Sequence, residues 1–284
     1  MQLDQQQTRP TFRKLTRQLS KLGRKPDAET VHKFRTVTRR VEVLVADLAQ
    51  KRSRNDKKLL KLLGRLRKKA GRVRDLDVQT AALRSLKIPQ EPGRKSQLMR
   101  TLGEERGKRE NKLAKALDKK TVAEVHKRLK RTASSLEIPE NTDPVTMALQ
   151  KVIDLELDPS AVNEKTLHQF RTTGKRARYI AELAGKNKNA EATRLVEQLR
   201  HMQDVIGDWH DWLQLAERAE KLFGNVQGSA LMAALHNVTR AKFRQAVNTL
   251  TETRAALVGK KPTSITAISH QSSRQSSVAA AAVA

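Results

Sequence analysis

Apolar residues recur along this chain at spacings of three and four positions, the period of an amphipathic helix. Alternating runs of β-branched residues, which predict strands, are missing. Two apolar stripes are clear on helical wheels, and they comprise Phe34, Val37, Val41, Leu44 and Leu48 in one segment and Leu59, Leu62, Leu63, Leu66 and Ala70 in the next. The pattern predicts an all-α protein.

Clusters of Gly, Pro, Asn, Asp and Ser interrupt this periodicity and predict loops. They fall at 23–27, 89–93, 139–144, 158–160, 185–189 and 224–228, which leaves about eight helical segments. The segment 139–144 carries two prolines and predicts a linker between a first unit, 9–138, and a second unit, 145–258. Residues 259–284 are rich in Ser, Thr, Gln and Ala and lack acidic residues, so we predict a disordered tail there.

The two units repeat one pattern. Val31-His32-Lys33-Phe34-Arg35-Thr36 corresponds to Leu167-His168-Gln169-Phe170-Arg171-Thr172, 136 residues later. The same offset carries Arg39-Arg40 onto Lys175-Arg176, Gly71 onto Gly207 and Asp75 onto Asp211. This ungapped correspondence indicates an internal duplication. Short connections within each unit favour antiparallel helices, so we predict two tandem four-helix bundles, each with its own core, facing each other across a basic groove.

The polar face of the repeated helix is basic in both copies. His32, Arg35 and Arg39 lie opposite the apolar stripe with Arg40 beside them, and His168, Arg171, Lys175 and Arg176 take the same positions in the second copy. A solvated surface would explain one such helix. Surface residues ordinarily drift after a duplication, however, so the repeated histidine and cations favour a binding role.

The residue types on this face suit a phosphate chain. The planar guanidinium of Arg binds phosphate oxygens through two hydrogen bonds, whereas Lys acts as a point charge. Repeated at one-turn intervals, these side chains form a ladder of donors, which a chain-like anion matches. His32 and His168 would add a hydrogen bond or, when protonated, a charge. Arg67 and Arg74 share a face of the next helix and are further candidates.

Composition agrees with an anionic partner. The 284 residues include 58 Lys and Arg against 30 Asp and Glu, a net charge of +28 that repels itself in a compact fold. Nucleic acid, polyphosphate and an anionic membrane are the candidate partners. Cysteine is absent, which excludes disulfides and cysteine-rich zinc sites. The N-terminal segment lacks the apolar stretch of a signal peptide and no window would span a bilayer, so we expect a cytoplasmic protein without a membrane partner.

No catalytic or metal site is evident. The equivalent residues Asp75 and Asp211 lie beside Arg74 and His210, where a carboxylate orients its neighbour or caps a helix. The aromatic residues Trp209 and Trp212 correspond to aliphatic residues in the first unit and are predicted to pack in the core. Phosphate-binding glycine loops, nucleophile elbows and paired metal-binding histidines are missing. We therefore expect neither an enzyme nor a bound cofactor or metal.

The doubled pattern His-x-x-Arg-x-x-x-(Lys/Arg)-Arg, each copy followed by Gly-x-x-(Arg/His)-Asp, resembles the CHAD family, the conserved histidine α-helical domain. The resemblance covers roughly residues 9–258. It implies two four-helix bundles around a basic groove that binds inorganic polyphosphate, and an association with polyphosphate granules. Carried over residue by residue, it places the basic lining on His32, Arg35, Arg39, Arg40, His168, Arg171, Lys175 and Arg176. The triphosphatase-like domain fused to some relatives has no counterpart here, so the resemblance does not imply hydrolysis.

Nonspecific nucleic-acid binding is the leading alternative, because a charge of +28 attracts DNA and RNA whatever the native ligand. Only 3% of the residues are aromatic and none interleaves with the basic ladder, which argues against a base-stacking surface. Helix-turn-helix, zinc-finger and RNP signatures are also missing. The sequence favours polyphosphate.

Overall fold

The computed structural model describes residues 5–158, 161–184, 190–224 and 228–259, and no residue in these ranges forms a strand. The all-α prediction is confirmed. The helices are α1 (Gln5–Arg24), α2 (Ala28–Val43), α3 (Arg54–Ser85), α4 (Pro92–Ala116), α5 (Lys119–Ser135), α6 (Pro144–Ile153), α7 (Glu164–Ala181), α8 (Ala190–Phe223) and α9 (Ala230–Val258). The predicted loop at 185–189, parts of those at 158–160 and 224–228, and the tail from residue 260 lie outside the described residues.

Two breaks in the chain are not among the loops predicted from clusters of Gly, Pro, Asn, Asp and Ser. A π-helical turn, Leu44–Leu48, ends the second helix, and Ser53 begins α3 with a capping box to Asp56. Asp118 separates α4 from α5 by accepting a hydrogen bond from the backbone N–H of Thr121. Both breaks depend on single capping side chains inside an otherwise periodic sequence, so periodicity alone does not reveal them.

Helices from each half pack with their neighbours in sequence. In the first half, α1 packs on α2, α2 on α3, and α3 on α4 and α5, while α5 closes the set against α1. In the second half, α6 packs on α7, α7 on α8 and α8 on α9, which also contacts α6. The halves meet where α2 contacts α7 and α3 contacts α8. This packing is compatible with two bundles, and the unit boundaries stay a prediction.

The hydrophobic core differs from the expectation of one core for each unit. The largest cluster of buried residues runs through both halves and contains the repeated residues Phe34 and Phe170 together. A second cluster joins the α3–α4 hairpin to the α8–α9 hairpin, with Leu76 and Trp212 at its centre. The halves share apolar surface along their contact because α2 and α7 bury side chains on more than one face. Relative movement of the halves would expose this surface.

Candidate functional site

The two histidine-bearing helices begin at equivalent caps. Asp27 accepts a hydrogen bond from the backbone N–H of Thr30 at 2.8 Å, and Asn163 accepts one from the N–H of Thr166 at 3.0 Å. Both cap residues stand five positions before their histidine, so the duplication includes the cap as well as the basic face. The matched starts place the two basic faces in the same register along α2 and α7.

Four cations from α2 and α7 form one cluster across the contact between the halves. Arg35 and Arg39 come from α2, and Arg171 and Lys175 come from α7. Burial and, after it, the charges of Arg171, Arg39 and Arg35 together lower the pKa of Lys175 to about 6. Burial also lowers the pKa of Arg39 to about 10 and that of Arg35 below its usual value. These four residues, hereafter the cationic cluster, are partly desolvated, and nearby carboxylates balance only part of their positive charge.

Two guanidinium groups of the cationic cluster have unused donors. The Nε atoms of Arg35 and Arg171 are buried, and neither has a hydrogen-bond partner within the part of the chain that the structure describes. Arg35 also lies 3.6 Å from Asp75 through Nη1, and its guanidinium packs over Gly71. Buried donors without partners are uncommon in native proteins because they lose hydration without compensation. An anion seated on the cluster would satisfy both.

A cleft of about 400 Å³ opens beside the cluster, between α2, α3 and α7. Its walls are Arg39, Glu42, Val43, Ala46, Asp47, Leu60, Gly64, Arg67, Arg171, Thr172, Lys175, Arg176 and Tyr179. Arg67 reaches it from α3 and is held by Glu42, with its Nε 2.7 Å from Oε2. Burial raises the pKa of Glu42, and the charge of Arg67 opposes that shift. The cleft is therefore basic but contains two carboxylates, Glu42 and Asp47, which the sequence did not single out.

Arg40 and Arg176, the flanking pair of the predicted ladder, make equivalent contacts across the two halves. Arg40 Nη2 lies 2.7 Å from Glu182, in the short 3-10 turn after α7. Arg176 Nε lies 2.7 Å from Asp47, in the π-helical turn after α2. Each arginine thus holds a carboxylate at the end of the other half's helix, and we call the two contacts the cross-half ion pairs.

The histidines lie one turn before the cluster and do not line the cleft. His32 is exposed at the surface, yet partial desolvation of its ring and the charge of Arg74 lower its pKa. His168 is exposed too, with its ring centroid 6.2 Å from that of His210, the residue equivalent to Arg74. Burial and the charge of His210 lower the pKa of His168. Each histidine therefore lies near the helix that follows its own, His32 near α3 and His168 near α8.

Arg74 does not reach the cleft, whereas Arg67 does. Asp75 contacts Arg35, not the adjacent Arg74, and Asp211 lies 3.7 Å from His210. Trp209 and Trp212 are buried, as predicted. The residues that the sequence missed are Glu42, Asp47 and Tyr179. Glu42 lies in the basic helix α2 and Asp47 lies in the turn that follows it. An acidic residue in so basic a segment could have indicated both.

The described residues hold no group of three or more His, Asp or Glu arranged to bind a metal ion. Among the same residues, no helix combines the length and apolar character needed to cross a bilayer.

Comparison with known proteins identifies relatives. A profile of the CHAD domain matches residues 6–220. The fold is similar to the crystal structure of the CHAD domain from the plant Ricinus communis, with a TM-score of 0.62 and 19% identity over 88% of this chain and 89% of that one. It is also similar to PptA from Streptomyces chartreusis, with a TM-score of 0.61 and 15% identity over 89% and 96% of the two chains. A search of curated proteins finds no match. Because the profile spans most of the sequence and the same fold is found in a CHAD domain, this chain belongs to the CHAD domain family.

Proposed function

We propose that this protein binds inorganic polyphosphate in the cleft between its halves, without transforming it, and that it associates with polyphosphate granules through this contact. The observation that carries the proposal is the cationic cluster, in which the charge of Arg171 acts on Arg35 and the buried Nε atoms of both have no hydrogen-bond partner among the described residues. The general association of the CHAD family with polyphosphate supports the choice of ligand.

The binding set that we propose is smaller than the predicted ladder. Arg35, Arg39, Arg171 and Lys175 would contact phosphate directly, and Arg67 would do so from the cleft wall. A phosphate chain would supply the charge that the cluster lacks, and it would be bound more strongly there than in water because the site is partly desolvated. We assign Arg40 and Arg176 to holding the halves together, since carboxylates already occupy their guanidiniums.

The test is charge reversal inside the cluster, Arg35→Glu with Arg171→Glu. We expect the affinity for polyphosphate to fall at least about 100-fold, because two buried charges become repulsive. The matched control is Lys112→Glu with Lys115→Glu on α4, which makes the same change in net charge at two exposed positions outside the cleft. We expect the control to lose less than about fivefold, through weakened long-range attraction alone. Equal losses in the two variants would show diffuse attraction without a site.

Nucleic acid is tested by competition. Short duplex DNA is titrated against bound polyphosphate at equal phosphate concentration and moderate salt. We expect little displacement, because the partly buried donors of the cationic cluster are accessible to a single flexible phosphate chain but not to the phosphates of a rigid duplex. Efficient displacement would replace the proposed ligand with nucleic acid.

A further inference from the structure

The positive charge is concentrated in the first half of the chain. Residues 1–138 contain 39 Lys and Arg against 15 Asp and Glu, whereas residues 139–259 contain 16 against 15. The cationic cluster draws two residues from each half, so it does not account for this excess. Most of the positive charge of the first half therefore lies outside the cationic cluster.

A groove of about 430 Å³ runs between α1 and α5. In the first half, α2 and α3 contact the second half, while α1 and α5 close the bundle against each other. The groove therefore lies on the side away from α7 and α8 and from the cleft. Its lining is Arg9, Phe12, Arg13, Thr16, His126, Leu129, Lys130, Ala133 and Ser134.

The basic side chains and the histidine of this groove are spaced like the residues of the cationic cluster. Arg9 and Arg13 stand one helical turn apart on α1, and His126 and Lys130 stand one turn apart on α5. In the cationic cluster, Arg35 and Arg39 on α2 and Arg171 and Lys175 on α7 have the same four-residue spacing. Two parallel rows of donors suit a linear anion better than a compact one.

Among the described residues, the lining of the groove includes no carboxylate, whereas that of the cleft includes two. Within the described ranges, Arg9, Arg13 and Lys130 form no ion pair, so no carboxylate of these ranges neutralises their charges at contact distance. The Nε2 atom of His126 is buried and has no hydrogen-bond partner in the same part of the chain. An anion between the two helices would meet three uncompensated charges and one unused ring nitrogen.

The floor of the groove argues against a ligand that stacks. Phe12 and Leu129 are 3% and 1% exposed, so the aromatic ring belongs to the core and presents no face to a base. The second half has no equivalent groove wall, because α6 carries a single cation, Lys151, which lies 3.5 Å from Asp47. The feature is therefore specific to the first half.

We propose that the groove between α1 and α5 is a second polyanion site, which takes a second phosphate chain and makes this protein a bridge between polyphosphate chains. The inference rests on the proposed function of the cleft, since it states what the protein does to the polymer that it binds. The two sites lie on opposite sides of a bundle, so a chain of a few phosphates cannot reach both. Long chains held at both sites become linked, and linkage through several proteins strengthens the contact without any new interaction.

The test compares three double variants with the native protein. Arg9→Glu with Arg13→Glu, the groove variant, reverses two charges of the groove. Arg35→Glu with Arg171→Glu, the cleft variant, reverses two charges of the cationic cluster beside the cleft. Lys14→Glu with Lys21→Glu is the matched control, because it makes the same charge change at exposed positions of α1 outside the groove. Circular dichroism verifies folding, and Arg9→Gln with Arg13→Gln repeats the groove test with a milder change.

Calorimetry with polyphosphate of a few residues measures stoichiometry. We expect two chains per protein for the native and control proteins and one for the groove variant. With long polyphosphate, light scattering measures linkage, which we expect to fall at least about fivefold in the groove variant while its cleft still binds. One chain per native protein, or unchanged linkage in the groove variant, would overturn the inference. The inference would also be overturned if the groove variant lost affinity for duplex DNA but kept its full affinity for polyphosphate.

The two proposals fail differently. If the cleft variant keeps full affinity and two chains, the proposed function of the cleft is wrong, whatever the groove does. If the cleft variant binds one chain and the groove variant still binds two, only the bridging inference is wrong.

Discussion

Lys175 is the residue whose environment departs furthest from that of an exposed side chain. It lies at the contact between the halves, where Arg171 on its own helix and Arg35 and Arg39 on α2 lower its pKa. The carboxylate of Asp211 acts in the opposite direction and raises it. With a pKa of about 6, it is mostly neutral at pH 7 in the free protein. An anion beside it would favour the protonated form.

Polyphosphate binding should therefore take up a proton. The bound pKa of Lys175 lies above the free value, so between the two values the complex holds a proton that the free protein lacks. By linkage, affinity should fall as pH rises through this window, starting above about 6. Calorimetry at pH 7.5 in two buffers of different ionisation enthalpy measures the uptake.

Lys175→Met is the matched variant for this measurement. It should still bind through the three arginines, but with the proton uptake reduced and the affinity less dependent on pH. His32 and His168 also have lowered pKa values and would contribute below neutral pH, so the comparison is made above pH 7. Uptake that is the same in Lys175→Met would assign the proton to another group.

At the scale of elements, the helix ends matter as much as the helix faces. The π-helical turn after α2 supplies Asp47, and the 3-10 turn after α7 supplies Glu182. Both carboxylates are nearly buried, with side chains 6% and 5% exposed, and each is held by an arginine from the other half. The irregular turns thus fix how α2 and α7 meet, and with them the distance between the two rows of the cationic cluster.

Breaking the cross-half ion pairs should destabilise the protein unequally. Arg40→Met leaves Glu182 with only Arg178, whose Nη1 lies 3.7 Å away, and we expect the free energy of unfolding to fall by roughly 2–4 kcal/mol. Arg176→Met should cost about 1 kcal/mol or less, because Arg176 is half exposed and Lys151 remains near Asp47. Urea unfolding measures both.

Glu182→Gln added to Arg40→Met is the internal check. It removes the buried charge that Arg40 neutralised, so part of the lost stability should return. If Arg40→Met leaves stability unchanged and lowers polyphosphate affinity instead, Arg40 is a ligand residue, as its sequence position predicts, and our assignment to the contact between halves is wrong.

At the scale of the whole molecule, the net charge of +28 attracts an anion over a long range, whereas the cationic cluster binds it only on contact. The dependence of binding on salt concentration distinguishes the two contributions. The slope of the logarithm of the binding constant against the logarithm of salt concentration reports the counterions released on binding. We expect the slope to become shallower by about two units in Arg35→Gln with Arg171→Gln, since two phosphate contacts are lost.

Lys112→Gln with Lys115→Gln is the control for the salt titration. These exposed lysines on α4 should leave the slope within about half a unit of the native value, because they are not in contact with the chain. If the lysine pair and the arginine pair reduce the slope equally, net charge alone governs binding and the cleft is not a specific site.

The sequence by itself determined the helical character, the duplication and the basic face of each repeated helix. A period of 3.6 residues assigns every side chain to the inside or outside of its own helix, and an offset of 136 residues relates Arg35 to Arg171 without reference to any fold. The burial of Phe34 and Phe170 followed from the same period, and that of both tryptophans followed from their aliphatic counterparts in the first unit.

Only the tertiary structure decided which cations meet and which are already engaged. Arg39 and Arg40 are neighbours in sequence, yet Arg39 lines the cleft while Arg40 reaches Glu182, 142 residues away. Helical periodicity fixes the direction of a side chain about its own axis, but it carries no information about the element on the other side. That partner depends on how α2 and α7 cross, which the shared apolar core and the carboxylates at the helix ends set together.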